Sequence, residues 1–311
     1  NRSVEYDRAL AGSKYWFCNY RLYDYILPKK NQVYVQCWHG TPLKRLGYDL
    51  KNSDNVMNSY EEICFMYGHD AARFNYILSP SKFASEKFAS AWNLVETKQT
   101  DKIVEVGYPR NDFLLNHKPE DVERVKKTLN IPLDKKVLLY APTWRDNQHS
   151  SELGYTYKNT VDFDKMREKL GEEWVILFRA HYLVANSFDF AKYDGFVYNV
   201  SEYGDINDLY ITADVLMTDY SSVFFDYANL KKPMVFYMYD KYLYENNLRG
   251  FYVDLNELPG PIIEDEDEMI NVLATVNEWF KYDDCYKAFN DKFNYLDDGQ
   301  ASKRLVERVV E

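Results

Sequence analysis

Apolar residues in this chain fall into short dense runs separated by amphipathic stretches. Val33–Cys37 (V-Y-V-Q-C), Val137–Tyr140, Trp174–Phe178 (W-V-I-L-F), Val215–Thr218 and Met234–Tyr237 are rich in β-branched and aromatic side chains. Runs of that length, bounded by charge or turn residues, predict buried strands. Lys14–Asn19, Tyr76–Ser79, Ile103–Val106 and Phe196–Val200 read the same way. The stretches between them space apolar residues three and four apart. They predict helices over Lys82–Trp92, Glu120–Leu129, Phe163–Leu170, Ile206–Ile211, Ser222–Leu230 and Glu266–Phe280, with a capped turn at Leu296–Ser302 opening another over Ala301–Val310. This βαβα rhythm predicts an α/β protein whose parallel sheets carry helices on both faces.

The 311 residues suffice for two cores. The segment Asn130–Lys136 (N-I-P-L-D-K-K) follows a charged helix and precedes the apolar Val137–Tyr140, which suits a linker. The expected domains are therefore 1–130 and 137–311, with the last helix a candidate to cross back. Hydrophobic residues at 46% and charged residues at 28% fit a globular chain. A formal charge of −11 excludes broad nucleic-acid binding, though not an anionic ligand held by a local field. Cys18, Cys37, Cys64 and Cys285 show no C-x-x-C spacing, which reads as reduced thiols of a cytoplasmic protein and not as a zinc site. No apolar run approaches the roughly 20 residues that span a bilayer, and no secretory leader is evident. The acidic stretch Glu264–Glu268 precedes an apolar helical pattern and fits a helix start better than a metal site.

Candidate chemistry gathers just past the predicted strands, where open α/β sheets bind ligands. His39 follows Val33–Cys37 in W-H-G-T-P-L-K, and His181 follows Trp174–Phe178 in R-A-H. An imidazole there can exchange a proton near neutral pH, or can simply fix a loop or pack at a strand end. Thr218-Asp219-Tyr220-Ser221-Ser222 reads as a tight turn from a buried strand into a helix. Ser221 and Ser222 suit either phosphate binding by hydroxyls and free N–H groups or ordinary N-capping. Arg145 and Arg249 suit phosphate or a domain-interface ion pair. His69, His117 and His149 lie in polar or helical contexts and read as surface residues. No Walker-type loop, G-x-S-x-G elbow or H-E-x-x-H motif occurs.

Seven segments, taken in order, resemble the CDP-glycerol glycerophosphotransferase family, which includes teichoic acid glycerol-phosphate polymerases. They are Trp38–Lys44, Gly107–Asp112 (G-Y-P-R-N-D), Tyr140–Arg145 (Y-A-P-T-W-R), Arg179–His181, Thr218–Ser222, Leu248–Tyr252 (L-R-G-F-Y) and Asp298–Ser302 (D-G-Q-A-S). The resemblance implies a GT-B fold, two Rossmann-like domains with parallel sheets facing a central cleft. It implies catalytic roles for His39 and His181, and donor binding by Thr143, Arg145, Arg179, Thr218, Asp219, Ser221, Ser222 and Arg249. It places Gly40, Thr41, Lys44 and Arg110 on the acceptor side. The implied reaction moves glycerol phosphate from CDP-glycerol to a hydroxyl of a lipid-linked wall or capsule polymer, releasing CMP. His39 would be the base, and His181 would stabilise the phosphate in flight. No acidic pair stands beside the phosphate motifs, so no metal or other cofactor is expected, Mg²⁺ included. Familiar members carry an N-terminal membrane-associated or accessory region, of which little precedes the first motif here. Either that region was removed or membrane recruitment works differently here; peripheral contact with the inner face of the cell membrane is expected from basic and aromatic patches around Lys29, Lys30, Lys44 and Arg45. The alternatives are a transferase using CDP-ribitol or another CDP-polyol, a GT-B glycosyltransferase using a nucleotide-sugar, or a silent module binding anionic wall polymers.

Overall fold

The computed structural model describes residues 3–51, 58–143, 149–150, 154–155, 161–180, 189–242 and 250–310. The chain forms two compact units: Asn1–Asp112 with Leu243–Asp254 and Asn290–Glu311, and Phe113–Tyr242 with Leu255–Phe289.

The first unit holds a parallel sheet in chain order, β1 (Tyr15–Cys18), β2 (Val33–Gln36), β3 (Tyr76–Ser79) and β4 (Ile103–Glu105). Strand alternation sends Tyr34 and Ile77 to one face, under Phe74, Phe88 and Trp92. Val35, Leu78 and Val104 go to the other, under Leu305 and Val309 of the helix Ala301–Val309.

The second unit holds β5 (Lys136–Ala141), a small hairpin of β6 (His149–Ser150) and β7 (Gly154–Tyr155), then β8 (Trp174–Phe178), β9 (Val197–Asn199), β10 (Val215–Thr218), β11 (Met234–Tyr237) and β12 (Ile262–Ile263). Its six-stranded sheet runs β12-β11-β10-β5-β8-β9, all parallel. The chain builds outward from β5 through β8 to β9, then returns to β10 on the other side of β5. This is the Rossmann order, and it reverses between β5 and β10.

The compact units divide differently from the expected 1–130 and 137–311. Residues 113–130 belong to the second unit, where the helix Pro119–Thr128 packs on Ile206–Thr212 and Arg124 pairs with Asp208 at 2.9 Å. Lys126 donates to the carbonyls of Leu133 and Lys135, which ties the supposed linker down. Residues 290–311 belong to the first unit because Leu305 and Val309 cover a sheet face that water would otherwise reach.

Among the described residues four helices escape the apolar pattern: Val4–Gly12, Tyr60–Arg73, the short Asp112–Asn116 and Asp284–Phe293. The expected Glu266–Phe280 breaks at Thr275 into Glu266–Ala274 and Val276–Trp279. Ser222–Leu230 shortens to Val223–Tyr227 followed by one 3₁₀ turn. Asp265 caps its helix by accepting from the Glu268 N–H at 2.9 Å, so the acidic stretch is a helix start. His69 and His117 are half-buried rather than on the surface.

Candidate active site

In the second unit Ala141 and Thr218 are register partners at the carboxyl ends of β5 and β10. Pro142-Thr143 and Asp219–Ser222 therefore leave the sheet side by side at its switch point, where such sheets bind ligands. Thr218 Oγ1 donates to the Ala141 carbonyl at 2.7 Å. Asp219 is buried, and its Oδ1 accepts from Thr143 N (2.8 Å), Thr143 Oγ1 (2.5 Å) and Tyr220 N (2.7 Å). One carboxylate oxygen thus latches the exit of β5 to the exit of β10. The structure joins these two expected donor ligands to each other.

Ser221 and Ser222 are half-buried beside this latch. Ser222 occupies the N-cap position of Val223–Tyr227 but makes no side-chain capping bond, and Ser221 Oγ reaches the Val223 N–H only at 3.5 Å. The hydroxyls are not spent on strong caps, which favours the anion-binding reading over the capping one. Arg179 leaves β8 with its N–H on the Tyr140 carbonyl at 2.9 Å. Its Nη1 donates to the carbonyls of Val200 and Tyr203, each at 2.9 Å, fixing the loop beyond β9, and burial lowers its pKa.

In the first unit His39 follows β2. Its Nδ1 lies 2.9 Å from the Asn19 carbonyl oxygen, which can only accept. Nδ1 therefore carries the proton in the neutral ring, and Nε2 keeps its lone pair. His39 is exposed to solvent on one side, and its ring lies tilted by 31° against Trp38 at 4.1 Å between centroids. Desolvation by its surroundings, first, and the positive charges of Arg110 and Arg21 lower its pKa below 6.5, against the opposing effect of the Asn19 bond. A neutral imidazole with an accepting Nε2 suits a general base.

The remaining acceptor-side expectations divide. Gly40 and Thr41 lie beneath the surface behind His39, and the Thr41 hydroxyl has no hydrogen bond. Lys44 is half-buried and pairs as a β-bridge with Phe251, while Arg45 N donates to the Gly250 carbonyl and Tyr252 N to the Leu43 carbonyl. These pairings place Gly250–Tyr252 in the first unit, and Lys44 and Arg45 are both half-buried. Arg110 lays its guanidinium 3.7 Å over the Tyr108 ring.

Two motifs clasp each other. Asp297 accepts from Tyr108 N and Asn111 Nδ2, both at 2.7 Å, and Asp112 accepts from the N–H groups of Ala301 and Ser302 at 2.8 and 2.7 Å. Gly107, at φ +84°, permits the approach: a Cβ there would lie 2.5 Å from the Leu296 carbonyl oxygen.

His181, Arg145 and Arg249 lie outside the described residues. Sequence reasoning missed Asn19 and Arg21, which act on His39 itself, and Gln36 and Asp70, which reach it through the backbone of Trp38. Only Gln36 left a signal, as the polar residue of an otherwise apolar strand. Among the described residues no group of three His, Cys, Asp or Glu side chains gathers as a metal site would require.

A family model of CDP-glycerol:poly(glycerophosphate) glycerophosphotransferases matches residues 1–311. The chain belongs to this family. It is 41% identical over 312 residues to a teichoic acid glycerol-phosphate transferase of Staphylococcus aureus, covering 99% of this chain and 78% of that protein. It is 40% identical over 310 residues to a teichoic acid poly(glycerol phosphate) polymerase of Bacillus subtilis, covering 99% of this chain but only 41% of that protein. The solved structure of the wall teichoic acid polymerase TagF superposes with a TM-score of 0.90 at 38% identity, over 98% of this chain and 74% of that one. This structural match agrees with the GT-B fold, two Rossmann-like units, that the family resemblance implied.

Proposed function

We propose that the chain transfers glycerol phosphate from CDP-glycerol to a hydroxyl at the end of a lipid-linked wall polymer, releasing CMP. The observation that carries the chemistry is the His39 ring, with Nδ1 committed to the Asn19 carbonyl and Nε2 free to accept a proton. The acceptor oxygen attacks the β-phosphorus as its proton passes to Nε2. The bond from that phosphorus to the bridging oxygen breaks, and the electron pair leaves on CMP. A phosphate monoester has a second pKa of about 6, so CMP departs without a strong acid. Phosphoryl transfer depends mainly on positioning and charge stabilisation. We assign donor phosphate binding to Ser221 and Ser222 and, by motif, to Arg145 and Arg249. His181 supplies a hydrogen bond or positive charge to the phosphate in flight. On this assignment the reaction needs no resident metal and proceeds in EDTA.

The lipid-linked acceptor places the work at the cytoplasmic face of the membrane. No helix among the described residues is long and apolar enough to cross it. Peripheral contact is supported by the exposed Phe17, Tyr20, Tyr23, Tyr25 and Leu27 beside the exposed Lys29 and Lys30. Near an anionic surface each such lysine contributes about 1 kcal/mol, screened by salt. The deciding experiment measures CMP release from CDP-glycerol with and without a synthetic lipid acceptor, with the product weighed by mass spectrometry. Acceptor-dependent release with a mass gain of glycerol phosphate is expected. Release without acceptor, or transfer of a sugar, defeats the proposal. Flotation with anionic vesicles at low but not high salt tests the membrane contact.

A further inference from the structure

A buried polar network lies directly behind His39. Gln36, the last residue of β2, is fully buried in an apolar strand. Its Nε2 faces the Tyr20 carbonyl (3.3 Å), the Tyr34 hydroxyl (3.0 Å) and Asp70 Oδ2 (3.3 Å), and its Oε1 accepts from the Trp38 N–H at 3.0 Å. Tyr20 adjoins Asn19, whose carbonyl holds the His39 ring, and Trp38 precedes His39 and packs its ring against it at a tilt of 31°. One amide therefore ties both chain segments that fix the imidazole. Trp38 needs the tie: its φ of +51° is a left-handed conformation that costs a non-glycine residue about 1–2 kcal/mol.

Asp70 decides which way that amide points. Its carboxylate is fully buried and faces donors on Trp92 Nε1 (3.1 Å), Tyr34 (3.3 Å), Arg73 (3.4 Å) and Gln36. A carboxylate only accepts, so Gln36 must turn Nε2 toward it and Oε1 toward the Trp38 N–H. Arg73 extends the network by donating to the carbonyls of Leu22, Tyr23 and Ile26, pinning the loop that begins at Asn19.

We infer that Gln36 is the positioning residue of His39, and that Asp70 orients Gln36 so that the imidazole is held in its Nδ1–H tautomer with Nε2 available. This rests on reading His39 as the base. Gln36→Met keeps length and loses both ties. Asp70→Asn turns one of the facing acceptors into a donor and lets the Gln36 amide rotate. In the double variant Gln36→Glu with Asp70→Asn, residue 36 becomes acceptor-only and still takes the Trp38 N–H, while residue 70 supplies the donor.

The test combines ¹⁵N NMR of the His39 ring with steady-state kinetics. The wild type is expected to show one neutral tautomer, protonated at Nδ1. Gln36→Met and Asp70→Asn are expected to show a mixture, with kcat down about tenfold or more, part of the 10²–10⁴ that a general base supplies. KM for CDP-glycerol should stay unchanged, because Ser221 and Ser222, to which donor phosphate binding is assigned, lie in the other unit. The double variant should recover kcat above Asp70→Asn or Gln36→Glu alone, a coupling that general loosening does not produce. A folded Gln36→Met that keeps the single Nδ1–H tautomer and wild-type kcat overturns the inference. Should Gln36→Met not fold, Asp70→Asn and the double variant decide it on the same two readouts. A tautomer that changes while kcat does not supports the positioning and removes His39 as base, so the two ideas fail separately.

Discussion

Replacing Asp219 separates two ways in which the switch point of the second unit could serve a donor. If Asp219 and Thr143 touched the donor themselves, their loss would weaken binding and leave folding alone. The structure assigns them to a latch, in which one oxygen holds Thr143 N, Thr143 Oγ1 and Tyr220 N within 2.8 Å. Asp219→Ala strands two backbone donors, and Tyr220 is buried. An unpaired buried donor costs about 1–3 kcal/mol, and the Thr143 hydroxyl can rotate toward water, so the total for the two backbone donors is about 2–6 kcal/mol. That is a large part of a typical domain stability of about 5–15 kcal/mol. Asp219→Asn keeps an acceptor in place. Charge-assisted bonds are roughly twice as strong as neutral ones, so its cost falls to about 1–2 kcal/mol. Thr143→Val keeps the N–H bond and loses about 1 kcal/mol. Urea unfolding and calorimetric titration with CDP read both effects. The expected order of destabilisation is Asp219→Ala, then Asp219→Asn, then Thr143→Val, with CDP affinity falling in the same order as the Ser221–Ser222 turn loosens. Asp219→Asn that loses CDP affinity at an unchanged urea midpoint would refute the latch and restore direct contact.

Three other outcomes follow from the same geometry. Ser221→Ala with Ser222→Ala should weaken CDP binding by about 1.5–3 kcal/mol, the value of a hydrogen bond to a charged group, with little change in the urea midpoint because neither serine is a strong cap. The acid limb of kcat/KM should fall below pH 6.5, since the base works neutral and its pKa in the free protein is lowered. Arg21→Gln removes a positive charge that favours the neutral ring, so the limb should move to higher pH, and a move to lower pH would contradict the assignment. Gly107→Ala should destabilise the first unit by about 1–2 kcal/mol from its left-handed φ alone, with the clash against the Leu296 carbonyl added, as urea unfolding will show.

The strands were legible because parallel strands covered on both faces leave continuous apolar runs, and Trp174–Phe178 is buried at every position. The switch point followed once β5 and β10 were placed. The helix Tyr60–Arg73 was harder: its Cys, Gly and aromatic content dilutes the apolar period. Its capping box, Ser59 with Glu62, was nonetheless present in the sequence. Ala301–Val309 crosses back to the first unit, as was expected of the last helix, but the sheet face it covers was not legible, because an amphipathic helix declares that it has an apolar face and not what that face covers. The same limit applies to His39. Its neighbours Asn19, Gln36 and Asp70 come from a loop, a strand end and a helix, and only the fold brings them together.

The motif segments that identify the family are not equivalent physically. Gly107–Asp112 and Asp298–Ser302 fasten the chain to itself through Asp112 and through Asp297, which immediately precedes the second segment. Lys44 and Phe251 join the first motif to Gly250–Tyr252 in the same way. His39 and the serines at 221 and 222 instead present groups that the protein does not fully use. Loss of activity on mutating a motif residue therefore does not locate chemistry by itself. A clasp residue should lower stability, with activity falling through the folded fraction, whereas a chemical residue should lower kcat or donor affinity at constant stability. Asp219 stands between these classes, since it holds the turn that carries the serines. It and its latch partner Thr143 are described donor-motif residues for which both measurements should move together.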